Sequence, residues 1–228
     1  MTMQRTSVRV LTAPLDILDW ESAIRRLVHW GNERRSSVVC ICNVHMTVTA
    51  GHDKELAEVL DGADMVTPDG APVAWAMRRA GYASQQRING PDLMWRYLAE
   101  AERLGQVVFF YGGMEETLAA LRVSMLAAFP GLRIGGMVSP PFRPLTAEED
   151  QAYVDQINAA DTAALFVGLG CPKQEKWMHA HRGRISAVMV GVGAAFDYHA
   201  GTIKRAPMWM QRYGLEWFHR LCSEPRRL

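Results

Sequence analysis

Two kinds of hydrophobic pattern alternate along most of the chain. Short runs of apolar and β-branched residues predict strands, and longer stretches with apolar residues every three or four positions predict helices. Several short runs are apolar at every position, as expected for strands covered on both faces of a parallel sheet. The predicted strands are Ser7–Leu11, Val38–Cys42, Met65–Val66, Val107–Tyr111, Leu132–Met137, Ala163–Gly168 and Ala187–Val190. The alternation predicts an α/β fold with a mostly parallel sheet flanked by helices.

Two predicted helices have recognisable starts. The segment Pro91–Leu104 carries proline where the first turn of a helix tolerates it. The sequence Thr146-Ala-Glu-Glu149 has the spacing of a capping box and predicts the start of another helix.

Composition agrees with a single folded unit. The 228 residues are 49% hydrophobic and 21% charged, with a net charge of +1, which is enough apolar material for one sizeable core. The sequence has no apolar run of eighteen residues, and its first residues lack the pattern of a secretory signal. We therefore expect a protein that acts on the cytosolic side.

Cysteine and histidine spacing predicts neither a metal site nor disulfides. Cys40, Cys42, Cys171 and Cys222 include no C-x-x-C pair, and the histidines show no H-E-x-x-H spacing. We expect free thiols and no bound metal.

Glycines and polar residues follow five of the predicted strands. In open α/β sheets, ligands bind in the loops at the carboxyl ends of the strands. The five loops are Asn43-Val-His45, Thr67-Pro-Asp-Gly70, Gly112-Gly113, Gly168-Leu-Gly-Cys-Pro-Lys-Gln174 and Gly191-Val-Gly-Ala-Ala-Phe-Asp197. We expect them to converge at one edge of the sheet.

The glycine pair Gly112-Gly113 suits a nucleotide or its phosphates, because backbone amides and a helix N-terminus can approach a ligand there. The spacings of a dinucleotide fingerprint and of a P-loop are both missing. A tight turn without a ligand, or the nucleotide site of an oxidoreductase, stays open as an alternative. In the later glycine loop, Lys173 and Gln174 could hold an anion or a sugar hydroxyl, although Lys173 could equally be solvated.

Asp69 is the strongest candidate for a general base. Pro68 stiffens its approach and Gly70 permits close backbone contact, so a short carboxylate has little freedom at a strand end. The alternative is an ordinary turn residue. Asp92 and Asp197 are further candidates for a general base.

The C-terminal segment is basic and aromatic. From Lys204 onward it has six Lys or Arg and two acidic residues, whereas the rest of the chain is slightly acidic. Four apolar residues at helical spacing lie beside arginines, namely Trp209, Tyr213, Trp217 and Leu221. This pattern suits lipid headgroups, or a helix packed on the core or on another subunit. Nucleic acid is disfavoured, because the rest of the chain offers no basic surface.

In combination these segments resemble the WecG/TagA/CpsF glycosyltransferase family of bacterial surface-polysaccharide and teichoic-acid synthesis. The resemblance covers nearly the whole chain. Its motifs are Asn43, Ala63-Asp-Met-Val-Thr-Pro-Asp-Gly70, Arg87-Ile-Asn-Gly-Pro-Asp92, Phe110-Tyr-Gly-Gly113, Gly168-Leu-Gly-Cys-Pro-Lys-Gln-Glu175, Trp177, Gly191-Val-Gly-Ala-Ala-Phe-Asp197, Gly201-Thr-Ile-Lys-Arg-Ala-Pro207, Gly214-Leu-Glu-Trp217, Arg220 and Glu224-Pro-Arg-Arg227.

The resemblance implies a Rossmann-like domain, here residues 1–203, followed by a C-terminal membrane-associating appendage, residues 204–228. It implies an inverting, metal-independent transferase, without a cofactor, that moves a sugar from a UDP-sugar to a polyprenyl-diphosphate-linked saccharide. The enzyme would act peripherally at the cytoplasmic face of the bacterial inner membrane, and homo-oligomers are conceivable.

The resemblance also assigns roles to individual residues. Asp69 would be the general base, Asn43 and Gln174 would orient sugar hydroxyls, and Gly113 and Asp197 would lie at the nucleotide. The arginines expected to neutralise the diphosphate are Arg87, Arg220, Arg226 and Arg227. Two alternatives stay open: a non-catalytic membrane-associated scaffold, and the same reaction with UDP-glucose in place of UDP-N-acetylmannosamine or its uronic acid.

Overall fold

The computed structural model describes residues 5–207, 209, 210 and 216. Six parallel strands form the central sheet in the order β4-β3-β8-β7-β5-β6, and β1 and β2 form a separate antiparallel pair. The strands are β1 Ser7–Val10, β2 Ala13–Asp16, β3 Ser37–Cys42, β4 Met65–Pro68, β5 Val107–Gly112, β6 Arg133–Val138, β7 Thr162–Gly168 and β8 Val188–Gly191. The α/β class with a parallel sheet is confirmed.

Helices connect the strands and cover both faces of the sheet. Their bounds are α1 Trp20–Asn32, α2 Val44–Thr49, α3 Lys54–Gly62, α4 Ala71–Arg79, α5 Gly90–Leu104, α6 Glu115–Ala128, α7 Ala147–Ala159, α8 Lys173–Ala180 and α9 Ala195–Ala200. Leu93, Leu121 and Phe196 lie in the apolar layer on one face. Leu56 and Met178 lie in the layer on the other face, so the sheet is buried between two helical layers.

All seven predicted strands form, and the sequence patterns missed one. The missed strand, β2, contains Pro14, a residue that sheets tolerate only at an edge. Its pairing with β1 alone meets that condition. Buried Asp16 at its end accepts a hydrogen bond from the Val66 backbone amide at 2.7 Å, which ties the pair to β4.

The two predicted helix starts are confirmed, with one shift in position. The α7 helix begins after Thr146, whose side chain accepts a hydrogen bond from the Glu149 amide in a complete capping box. The α5 helix begins at Gly90, one residue before the predicted start, because the side chain of Asn89 caps it by accepting from the Asp92 amide at 2.9 Å.

The order of the strands creates a crevice between β5 and β7. From β5 the chain moves outward through α6 to β6, and from β7 it moves the other way through α8 to β8. The apolar residues of α6 and α8 pack on opposite faces of the sheet. Such a reversal is the place where open α/β sheets bind ligands. The order differs from 3-2-1-4-5-6, the order of the Rossmann dinucleotide-binding fold.

The C-terminal segment is described only in part. Trp209 and Met210 are helical, with Met210 buried and Trp209 exposed. The other members of the aromatic stripe, Tyr213, Trp217 and Leu221, lie outside the described residues. Within the described part of the chain, none of the helices has the length and apolar character needed to cross a bilayer.

Candidate functional site

The carboxyl ends of the six parallel strands lie at one edge of the sheet, and the five loops singled out in the sequence follow those ends. A cavity of about 510 Å³ opens over the β5–β7 crevice. Its lining includes Gly113, Gly168, Gly170 and Gly193. We call this cavity the glycine crevice.

Close packing at the floor of the glycine crevice explains two glycines, Gly112 and Gly168. Gly112 and Gly168 are partners in the register of β5 and β7, and the Gly113 amide donates to the Gly168 carbonyl at 3.1 Å. A Cβ atom on Gly112 would lie 2.5 Å from that carbonyl oxygen, so only glycine fits. A Cβ on Gly168 would lie 2.7 Å from the ring of buried Phe196. The floor is therefore made of backbone.

Other loops complete the walls. Asp197 and Tyr198 of α9 line the crevice, as does the loop after β6 through Pro140, Pro141 and Phe142. The Ser139 hydroxyl holds this proline-rich loop by donating to the Gly113 carbonyl at 2.7 Å. Phe142 is 89% exposed, and its loop also borders a neighbouring cavity of about 660 Å³ lined by Tyr111 and Trp177.

Gln174 lies behind the wall rather than in the cavity. Its side chain is buried, its Oε1 accepts from the Gly193 amide at 3.1 Å, and its Nε2 donates to Glu175 Oε1 at 2.7 Å. Both ends of the amide therefore bind the protein, and Gln174 contacts the cavity through Gly193. Lys173, the preceding residue, lines the cavity itself.

Asp69 and Asn43 lie at the ends of the neighbouring strands β4 and β3. The Asp69 amide donates to the Cys42 carbonyl at 2.9 Å, which holds the two strand ends together. Asn43 caps α2, and its Oδ1 accepts from the Met46 amide at 3.0 Å. The Oδ1 atom of Asn43 is therefore engaged by the backbone of α2.

The segment that carries Arg87 runs alongside the end of β4. The Ile88 amide donates to the Pro68 carbonyl at 2.8 Å, and the buried Thr67 hydroxyl donates to the Ile88 carbonyl at 3.1 Å. These two bonds bring Arg87 and Asp69 to adjacent segments, although they are eighteen positions apart in the sequence.

Arg87 belongs to a network of four charged side chains. It donates to Glu216 of the C-terminal segment, and Glu216 also lies 3.7 Å from Arg205. Arg205 in turn donates to both carboxylate oxygens of Asp92, at 2.6 and 3.1 Å. Burial alone would raise the pKa of Asp92, but hydrogen bonds from Arg205 and Asn89 lower it below its ordinary value. Together with Asp69, these four residues form what we call the charged side.

The charged side and the glycine crevice are neighbours along the same edge. Asp69 follows β4 and Gly113 follows β5, four steps away in the strand order, which corresponds to about 19 Å at the usual spacing of strands. The loop after β8 lies between them. Gly90 at the start of α5 packs against this loop, because a Cβ there would lie 3.1 Å from the Val192 carbonyl oxygen.

The structure therefore divides the site residues expected from the sequence. Gly113 and Asp197 line the glycine crevice, Asn43, Asp69 and Arg87 lie at the β3–β4 end, and Gln174 supports the wall. Arg220, Arg226 and Arg227 lie outside the described residues.

Sequence reasoning missed Arg205, Glu216 and the wall residues Pro140 to Phe142. The Pro-Pro pair in the loop after a predicted strand was a usable signal for the wall, since the other site loops also follow strands. Arg205 and Glu216 stand in two motifs of the family resemblance, but the sequence assigned them no site role, because by themselves they are charges in a mixed tail.

The described residues contain no group of three or more His, Cys, Asp or Glu side chains arranged to hold a metal ion. Cys40, Cys42 and Cys171 are free thiols, as expected. Burial and the neighbouring carboxyl of Glu175 raise the pKa of Cys171 to about 12, so this thiol at the cavity wall stays protonated at neutral pH.

Comparisons with known proteins identify the family to which the chain belongs. The model of the family described as the glycosyl transferase WecG/TagA/CpsF family matches residues 8–228. An N-acetylglucosaminyldiphosphoundecaprenol N-acetyl-beta-D-mannosaminyltransferase of Bacillus subtilis strain 168 is 30% identical over 200 residues, which cover 87% of this chain and 76% of the relative. A protein of the same name from Bacillus spizizenii is 32% identical over 197 residues, covering 86% and 75%.

Proposed function

Because the chain belongs to the WecG/TagA/CpsF family of glycosyltransferases, we propose that it transfers N-acetylmannosamine from a UDP-linked donor to an N-acetylglucosaminyl-diphosphate lipid. The names of the two Bacillus relatives specify this sugar and this acceptor. The structural observation that carries the proposal is a backbone-lined crevice at the sheet reversal with a carboxylate, Asp69, farther along the same edge.

The donor nucleotide fits the glycine crevice. Its floor is bare backbone around Gly113 and Gly168, which allows close approach of a flat base or a phosphate. Asp197 offers a carboxylate to hydrogen-bond donors of the base or the ribose, and Lys173 offers a positive charge to the diphosphate. With the nucleotide here, the sugar extends along the edge toward the loop after β8.

Asp69 acts as the general base for the acceptor. Its carboxylate takes the proton of the acceptor hydroxyl as that oxygen bonds to the anomeric carbon. The bond from this carbon to the diphosphate oxygen breaks on the opposite face, so the configuration inverts and UDP leaves. Asn43 is well placed to orient a hydroxyl group beside Asp69, through its Nδ2 group.

Arginines stabilise the negative charge of the diphosphates. Arg87 lies on a segment that the hydrogen bonds of Ile88 hold against the end of β4, just before Asp69. A guanidinium can bind phosphate oxygens in pairs, so no metal ion is required in this proposal. Arg220, Arg226 and Arg227 of residues 204–228 are proposed to add charge there and at the surface of the cytoplasmic membrane leaflet.

The test combines binding and turnover in the presence of EDTA. UDP, UDP-N-acetylmannosamine, UDP-N-acetylglucosamine and UDP-glucose are compared by thermal shift, since a ligand of the native state raises the melting temperature. Transfer to a short-chain analogue of the N-acetylglucosaminyl-diphosphate lipid is then measured with each donor. Turnover with UDP-N-acetylmannosamine alone supports the proposal, turnover with UDP-glucose changes the donor, and no response to any uridine compound overturns it.

A further inference from the structure

Glu175, a residue with no role in the reaction described above, is a carboxyl side chain with 0% exposure beneath the glycine crevice. Asp16 is equally buried, but Arg5 and Arg26 lie within ion-pair distance of it. Among the described residues, Glu175 has no such basic partner. Burial raises the pKa of Glu175 to about 7, so the protein holds a carboxyl where an apolar side chain would be easier to bury.

Glu175 fixes the orientation of the neighbouring amide. Gln174 Nε2 donates to Glu175 Oε1 at 2.7 Å, whereas Glu175 Oε2 has no hydrogen bond of normal geometry. A carboxylate only accepts hydrogen bonds, so in its ionised form Glu175 faces the NH₂ end of the amide. The carbonyl end of Gln174 is thereby directed away from Glu175.

The side-chain carbonyl of Gln174 holds the wall of the crevice. Gln174 Oε1 accepts from the Gly193 amide at 3.1 Å, and Gly193 has a positive φ of 54°. Gln174 also packs on the bare backbone of Gly191, where a Cβ would lie 3.0 Å from its Nε2 atom. A flipped amide would turn its NH₂ group toward the Gly193 N–H, and two donors cannot bond.

We propose that Glu175 is a positioning residue for the donor site, acting through Gln174 on the Gly193 backbone that lines the glycine crevice. This inference rests on the proposed function only in naming the bound ligand as a UDP-sugar. The thiols of Cys171, Cys40 and Cys42 interact electrostatically with Glu175. None of them can replace the carboxylate oxygen that accepts the hydrogen bond from Gln174.

The experiment compares Glu175→Leu with Glu175→Gln in the full chain. Leu removes the acceptor at similar volume, whereas the amide oxygen of Gln can still accept from Gln174. We expect the donor KM and the Kd for UDP to rise on the order of tenfold in Glu175→Leu, with kcat much less affected. Glu175→Gln should stay within about threefold of the unaltered protein. Glu58→Leu, at an exposed position of α3, controls for an added leucine.

Gln174→Met removes the same link from its other side and is the second variant if Glu175→Leu fails to fold. It should raise the UDP Kd by a similar factor, and Glu175→Leu should add little in that background. Unchanged donor KM and UDP Kd in Glu175→Leu or Gln174→Met would overturn the inference, as would equal losses in Glu175→Leu and Glu175→Gln.

Amide hydrogen exchange separates this inference from the proposed function. The peptide containing Gly191 to Ala194 should exchange faster in Glu175→Leu than in the unaltered protein, with or without nucleotide. If the unaltered protein binds no uridine nucleotide, the proposed function fails. Hydrogen exchange still tests whether Glu175 acts through Gln174 on the Gly193 backbone. If it binds UDP but exchange in this peptide is unchanged, the positioning role fails alone.

Discussion

The glycine crevice and the charged side lie along one edge of the same sheet, yet they are built from opposite materials. The crevice has a floor of backbone, where Gly112 and Gly168 touch so closely that no side chain fits. The charged side contains ion pairs between side chains, Arg87 with Glu216 and Arg205 with Asp92. In the proposed function, the first region recognises the shape of the ligand, and the second stabilises charge and accepts a proton.

The difference indicates how each region should respond to substitution. Added atoms should damage the crevice, because its backbone packing leaves no space. Loss of charge should damage the charged side while leaving its volume nearly unchanged. Four predictions, from the largest expected effect to the smallest, test whether binding and chemistry separate in this way.

Asp69→Asn keeps the size of the side chain and removes its capacity to take a proton. We expect kcat to fall on the order of 10²- to 10⁴-fold, with the Kd for UDP unchanged because the crevice is not altered. Transfer assays and UDP binding on the same preparation check this. Asp61→Asn, at an exposed position paired with Arg9, should change neither quantity. Full turnover in a folded Asp69→Asn protein would remove Asp69 from the chemistry.

Glu175→Gln should change the dependence of stability on pH. Burial raises the pKa of Glu175 from 4.5 to about 7 in the folded state. The unfolded chain therefore releases this proton first, and stability is lost as pH rises from about 4.5 to about 7. Relative to the unaltered protein, the variant should gain about 2–3 kcal/mol in free energy of unfolding between pH 5 and pH 8.

Urea unfolding of both proteins at pH 5, 7 and 8 measures this gain. Glu58→Gln, at an exposed position, should follow the unaltered protein at every pH. A constant difference between Glu175→Gln and the unaltered protein would mean that burial does not raise the pKa of Glu175 in the folded state.

Arg87→Gln removes a charge from the charged side. We expect kcat/KM for the lipid-linked acceptor to fall about 10- to 100-fold, because charge-assisted hydrogen bonds to phosphate are lost, while the UDP Kd stays the same. Arg103→Gln removes a charge from an exposed pair with Glu100 on α5 and should leave both constants unchanged. An equal loss in UDP affinity would show that the two regions are not separable.

Gly113→Ala adds one methyl group to the crevice. Gly113 has a φ of 76°, and its Cβ would lie 3.4 Å from the Phe196 ring. We expect the UDP Kd to rise about tenfold from strain and lost space. Gly105→Ala is the matched control, because Gly105 also has a positive φ but caps α5 in open space.

Calorimetric measurement of UDP binding to the two glycine variants tests this prediction. Gly105→Ala should lose stability, by about 1 kcal/mol, and keep its UDP affinity. Equal UDP affinity in both variants would mean that the nucleotide does not approach Gly113.

Local patterns predicted most of the fold but not the arrangement of its parts. Short apolar runs identified the six parallel strands, and several of these runs are apolar at every position because strands buried on both faces have no polar side. The sequence patterns did not predict β2, because Pro14 lowers strand propensity and a sheet accommodates proline only at an edge. The order of the strands in the sheet was not accessible, since it depends on contacts between residues far apart in the chain.

The residues of the candidate site divide in the same way, into those that local patterns predicted and those that they did not. Gly113, Asp69 and Asp197 were predicted because glycines and acids in the loops that follow strands are a local signal. The sequence also placed Gln174 in the site, but its amide binds Gly193 and Glu175 within the wall. No spacing in the sequence predicted that contact.

The sequence by itself determined the family, the class of fold and the residue types available at the strand ends, because periodicity and turn chemistry are properties of neighbouring residues. Only the tertiary structure decided that β5 and β7 lie side by side, that Glu216 meets Arg87 across the fold, and that Glu175 lies buried without a basic partner in the described part of the chain. Burial and charge pairing depend on which distant segments the folded chain brings together, so they are decided only when the chain folds.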